Sequence, residues 1–235
     1  MIRSSEYDST PNTSISVLHF ENEALEKTFL SEVASSYEEL RQLLPHLPEQ
    51  MNITFGANYE YGATGVTGSA ITANEMLIGI DQNAKNREVQ HARIRPLVFH
   101  EGYHIAQGFH NQAPVSALEA AIYEGCATLF EVQYAQVERQ RWSNYEQEKP
   151  ATLERWLNEI KTITAEQYFE SSGETWQKWA FYDPETDESW RIYKVGTWLV
   201  EGILKNSDLS LLEMGRMRAE EIIRHLAANE ESVDK

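Results

Sequence analysis

Apolar residues recur at helical spacing through Leu25, Phe29, Val33, Tyr37, Leu40 and Leu44, and Pro45-His46-Leu47-Pro48 stops the run. The pattern predicts an amphipathic helix with one buried stripe. Met51 to Phe55 and Met76 to Asp81 are short and apolar and predict strands; Gly56, Gly62, Gly65 and Gly68 punctuate the stretch between them as a turn-rich loop. That glycine cluster lacks a Gly-Lys-Ser/Thr ending and a following βα unit, so it is not a phosphate loop. Residues 1–14, rich in Ser, Thr, Asn and Pro, read as a flexible N-terminus. Leu97-Val98-Phe99 and Ile105-Ala106 belong to a largely buried helix; Pro96 marks its first turn, or kinks a longer helix that begins near Arg87. From Ala117 the chain is mostly helical: to about Arg141, in segments from about Ala151 and Ala165, then over 186–205 and 208–228. Asp183-Pro184-Glu185-Thr186-Asp187-Glu188 reads as a loop followed by an acidic helix start. The class is α+β: a small N-terminal sheet lobe within about 15–85 followed by a mostly helical lobe over about 86–235, in a single domain.

With 235 residues and 41% hydrophobic content the chain can bury one sizeable core. A formal charge of −17 excludes a nucleic-acid partner, which needs a basic face to neutralise phosphates, and is explained by solubility alone. No apolar run approaches the roughly 20 residues that span a bilayer, and the start, Met1 to Asp8, lacks an apolar signal core, so the expectation is a soluble, cytoplasmic protein. The lone Cys126 forbids an internal disulfide and reads as a small core thiol. The six Trp lie in the second half, where with neighbouring Tyr they read as a helical core rather than a sugar platform.

The chemistry concentrates in His100-Glu101-Gly102-Tyr103-His104, an HExxH motif. Residues four apart on a helix differ by about 40° in direction, so His100 and His104 can both place a ring nitrogen on one tetrahedral ion. Glu101 lies about 100° around from His100, out of place as a third ligand but able to hold a water beside the ion. It is the candidate general base. Two histidines and a carboxylate on a buried helix need partners, and a metal supplies them; the alternative is a hydrogen-bonded core pair with no metal.

Two residues compete to be the third ligand. Glu124 follows twenty residues after His104 on a helix whose Ala117, Ala120, Ala121 and Thr128 fall on the same side, so small side chains surround the carboxylate. His110 stands six residues after His104, where the HExxHxxGxxH pattern of metzincins has its third histidine. Here the glycine of that pattern is displaced by one, to Gly108, and no Met-turn follows; Met214 and Met217 sit in a charged helical stretch.

HExxH with a Glu about twenty residues beyond the second His resembles the gluzincin pattern of thermolysin-like peptidases. More narrowly, Arg95 to Glu131, with Phe99-His100-Glu101-Gly102-Tyr103-His104 and Tyr123-Glu124-Gly125-Cys126-Ala127, is similar to a bacterial family of predicted zinc-dependent proteases. Tyr193-Lys194-Val195-Gly196 is similar to a Tyr-x-x-Gly helix near that family's C-terminus. The resemblance implies a zincin-like fold, Zn²⁺ as cofactor, and peptide or protein substrates. It also implies a ligand set of His100, His104 and Glu124, with Tyr193 as donor to the oxyanion; the other reading of Tyr193 is a helix tyrosine packed beside Trp190 and Trp198. Many gluzincins place an acidic residue four positions after the Glu ligand to orient a ligand histidine; Thr128 stands there, leaving a backbone carbonyl, Glu119 or Glu131 for that role. Gluzincins also set a substrate-pairing edge strand before the motif helix, and residues 76–81 hold that place in chain order; the alternative is an edge blocked by the neighbouring loop. The other class of reading is a metal-bearing protein that binds or regulates without cleaving. Glu101 speaks against it, because a structural metal site needs ligands but no base.

Overall fold

The computed structural model describes residues 6–10, 13–18, 22–48, 50–56, 64–108 and 115–233. Contacts divide the chain into two compact units, one of residues 1–111 with 133–137, the other of 112–132 with 138–235. The helix carrying HExxH therefore groups with the sheet, rather than with the helices that follow residue 86.

The first unit holds a five-stranded sheet in the order β1-β2-β3-β5-β4, from β1 (Glu6–Thr10), β2 (Thr13–Leu18), β3 (Met51–Gly56), β4 (Val66–Thr72) and β5 (Glu75–Ile80). β2, β3 and β5 run parallel, and β1 and β4 flank them antiparallel. The strands expected at 51–55 and 76–81 are present. The stretch within 1–14 carries β1 and the start of β2. The turn-rich reading holds at Gly65, in the bend before β4 with φ +72°, and gives way to β4 at Gly68. Thr67, Ser69 and Ile71 alternate with Gly68 and Ala70 in a short strand whose glycine hides the period. As a result β5 has neighbours on both sides and β4 forms the edge, so the expectation that 76–81 supplies an open edge is corrected. Residues 57–63, Gly62 among them, lie outside the described residues.

Helix α1 (Glu23–Leu43) starts where the Asn22 side chain accepts the Leu25 N–H at 3.0 Å, with Glu23 and Glu26 in its first turn favoured by the helix dipole. Its buried face is Phe29, Leu30, Val33, Tyr37 and Leu40, as the spacing predicts. Helix α2 (Arg87–Ala106) is capped by Asn86, whose side chain accepts the Val89 N–H at 3.1 Å, and Pro96 lies inside it, so the longer of the two expected helices forms. The Gln90 amide donates to the carbonyls of Gly65 (2.8 Å) and Asp81 (2.7 Å), fixing the start of α2 to both ends of the β4–β5 hairpin. Near the other end α1 presses on Gly102, where a Cβ would stand 2.1 Å from Leu40 Cδ2.

The second unit contains α3 (Ala117–Tyr134), a 3-10 turn at Tyr145–Gln147, α4 (Pro150–Ile160), α5 (Ala165–Tyr168), α6 (Glu174–Ala180), a hairpin of β6 (Tyr182–Asp183) and β7 (Glu188–Ser189), α7 (Arg191–Asn206), α8 (Leu211–Met214) and α9 (Ala219–Val233). The acidic stretch at 183–188 closes this hairpin instead of opening a helix, and α7 begins only at Arg191. The helix expected over 208–228 breaks into α8 and α9 around Gly215.

Two backbones meet inside this unit. A Cβ on Gly196 would lie 1.9 Å from the Ala121 carbonyl oxygen, and one on Gly125 would lie 2.2 Å from the Gly196 carbonyl carbon. α3 and α7 touch glycine to glycine, which gives Glu-Gly in one motif and Tyr-x-x-Gly in the other a common physical reason. Ion pairs fix α7 further: buried Arg191 holds buried Asp183 at 2.8 Å and lies 4.3 Å over the Trp179 ring, and Glu201 receives Arg139 at 3.0 Å. Gly196→Ala is expected to lower stability by about 1–3 kcal/mol, the usual cost of overpacking a site with no room, read as a lowered midpoint in urea. Gly202→Ala on the same helix, with nothing within 4 Å, is expected to be neutral or slightly stabilising. Cys126 is buried and free, as the small core thiol was expected to be. Among the described residues no helix is long and apolar enough to cross a membrane.

Candidate metal centre

The last turns of α2 put His100 and His104 one above the other. Their Nε2 atoms are 3.2 Å apart and the rings meet edge to face, with centroids at 4.8 Å. Two ligands on tetrahedral zinc, each at about 2.0–2.1 Å, stand about 3.3 Å from one another. The imidazole pair thus has the spacing of one edge of a zinc tetrahedron, and both rings are largely buried. His100 and His104 lie in the first unit and Glu124 in the second. Two imidazoles and a carboxylate are a borderline-soft donor set suited to zinc. His110 lies outside the described residues.

Glu101 is buried, and its Oε2 accepts the backbone N–H of Ala70 on β4 at 2.9 Å. Tyr103 is fully buried.

In the second unit Glu124 sits beside Gly125, at the contact with Gly196, and Tyr193 lies three residues before Gly196 on α7. Residues three apart share one side of a helix, so Tyr193 projects from the side of α7 that carries this contact. Tyr193 is half-buried. Thr128 is fully buried and its hydroxyl has no hydrogen-bond partner among the described residues. The Glu119 carboxylate accepts the Val115 N–H at 2.9 Å and serves the start of α3.

Sequence reasoning missed Tyr168. Burial, and after it the nearby Glu124 charge, raises its phenol well above the ordinary tyrosine range, so it stays protonated at any physiological pH. Backbone bonds Ala117 N to Ile163 O (3.1 Å) and Ala165 N to Val115 O (3.3 Å) tie α5 to the head of α3 and bring Tyr168 there. The Thr164/Gln167 capping box that starts α5 is visible in the sequence; the pairing of its loop with residue 115 is not.

The sequence profile of the family described as "Predicted Zn-dependent protease (DUF2268)" matches residues 32–224, most of the chain. The chain belongs to this family. No curated protein matches it. Among solved structures it is similar to an aminopeptidase N family protein from Idiomarina loihiensis, at 14% identity and a TM-score of 0.53. That match takes in 94% of this chain but 41% of the other, so the chain spans less than half of that protein's length. At such identity the likeness is one of fold, and it agrees with the α+β, zincin-like architecture expected from the motifs. The family description carries zinc dependence with it, and the imidazole pair of HExxH is a possible place for the ion.

Proposed function

We propose that this chain is a gluzincin-type zinc peptidase in which His100, His104 and Glu124 bind Zn²⁺ and Glu101 is the general base. The observation that carries the reading is the zinc-like spacing of the two imidazoles within HExxH; Glu124 enters through its place in the Tyr123-Glu124-Gly125 motif. A zinc ion held by two neutral imidazoles and a carboxylate supplies a water whose pKa falls toward about 7 and a Lewis acid for the scissile carbonyl. Glu101 accepts the proton of that water on a carboxylate oxygen and later returns it to the leaving amine. Tyr193, on the α7 face beside Gly196, donates its phenol proton as a hydrogen bond to the developing oxyanion. The substrate is a peptide or protein. Its extended backbone pairs with the outer edge of β4 short of Ala70, whose N–H is taken by Glu101, since β5 is enclosed by β3 and β4.

The test is metal analysis of the purified protein alongside a broad library of quenched fluorescent peptides. Near-stoichiometric zinc with cleavage that a chelator stops and zinc restores is the expected result. Zinc without cleavage of any peptide would favour the binding or regulatory role, and a protein that takes up no zinc would leave His100 and His104 as a core pair.

A further inference from the structure

We infer that the edge strand β4 positions the general base, with the Ala70 N–H and the bare Cα of Gly68 acting as one device. The inference rests on the peptidase reading and goes beyond it. In an antiparallel ladder alternate residues turn their N–H and C=O toward the neighbouring strand or away from it. The Ala70 N–H turns away from β5 and donates to Glu101 Oε2 at 2.9 Å, across thirty-one residues of sequence. The strand can come this close because of Gly68. A Cβ there would stand 2.8 Å from Glu101 Cγ and 2.8 Å from Leu97 Cδ1, two atoms of the same face of α2. Leu97 and Glu101 are one turn apart, so Gly68 lies over that turn and Ala70 reaches the carboxylate at its end.

A carboxylate at the end of a three-torsion side chain has many rotamers, and a base contributes only from those that face its water. Holding Oε2 with a backbone donor removes the rotation about the last torsion and sets where Oε1 stands. A backbone donor on a strand moves less than a side-chain donor does, so the restraint is stiff. Ala70 and Gly68 are positioning residues that act through Glu101; they touch neither zinc nor the reacting carbonyl.

Ala70→Pro removes the donor, and because this N–H takes no part in the ladder, proline is tolerable at this edge position. Gly68→Ala keeps the donor and displaces Glu101 instead, so it gives a second route to the same effect should the proline variant fold poorly. Both are expected to lower kcat by about tenfold or more, a fraction of the roughly 10²–10⁴ that a general base contributes, with KM changed by less than about twofold and zinc content unaltered. In the Glu101→Gln background Ala70→Pro is expected to cause little further loss. A readout independent of turnover is hydrogen exchange of the Ala70 amide in metal-free, isotope-labelled protein: protection in the parent, lost in Glu101→Ala. A raised KM with kcat intact would overturn the inference, since the N–H would then serve the substrate. Loss of zinc in either variant, an equal fall of kcat in the Glu101→Gln background, or an Ala70 amide indifferent to Glu101→Ala would each overturn it as well. A parent that cleaves nothing overturns the peptidase reading along with it; a parent that cleaves while both variants match its kcat overturns this inference alone.

Discussion

Glu101→Gln is expected to reduce kcat by about 10²–10⁴ while zinc stays near one per chain, measured on any peptide the parent cleaves together with metal analysis of both proteins. The substitution is a clean one in this fold. Glutamine keeps the length of the side chain, and its amide oxygen still accepts the Ala70 N–H that Glu101 Oε2 accepts at 2.9 Å, so β4 and α2 lose no contact. What changes is that an amide cannot take up a proton at neutral pH. His100 and His104, whose spacing is set by the helix and not by Glu101, retain their 3.2 Å geometry. Activity within a few-fold of the parent would remove Glu101 from the chemistry and turn attention to a binding role for the metal.

The elements written in local patterns were legible before the structure. α1 follows from one stripe of apolar residues, β3 and β5 from short apolar runs, and the His100/His104 pair from four-residue spacing alone. Positions that depend on distant partners were not. β4 was hidden because Gly65 and Gly68 read as turn signals, whereas Gly68 is there to let Glu101 and Leu97 approach. The edge of the sheet was assigned to 76–81 for the same reason: without β4 there was nothing to cover β5. Gly125 and Gly196 could be singled out as motif residues, but that they touch each other is a fact of packing across seventy residues. The hairpin at 182–189 was missed because acidic residues after a proline suit a helix start as well as a turn. Its Asp183 is buried against Arg191 instead. Tyr168 gave no signal at all, since its link to Glu124 runs through backbone bonds between 163–165 and 115–117.

The third ligand is decided by a pair of substitutions, and the effect is expected to be large and one-sided. Zinc bound at a four-ligand site gains about 10–16 kcal/mol at neutral pH, so each ligand is associated with about 3 kcal/mol, or about 10²-fold in Kd. Glu124→Ala should therefore weaken zinc binding by about 10²-fold, measured by competition with a coloured chelator, and should lower the stabilisation that saturating zinc gives the parent by about 2.7 kcal/mol, read as a smaller rise in Tm. The fold around it has reason to survive: Glu124 is flanked by the Gly125–Gly196 contact, which the substitution leaves in place, and alanine is the best helix former for the middle of α3. His110→Ala should leave both quantities unchanged, because an imidazole six residues beyond His104 needs a chain reversal at the third position after that histidine. Gln107 instead continues from α2 in a helical conformation, with φ −69° and ψ −9°. The left-handed glycine comes one residue later, at Gly108 with φ +68°. Release of zinc by His110→Ala with retention by Glu124→Ala would exchange the carboxylate for a third imidazole and move the site from the gluzincin to the metzincin arrangement.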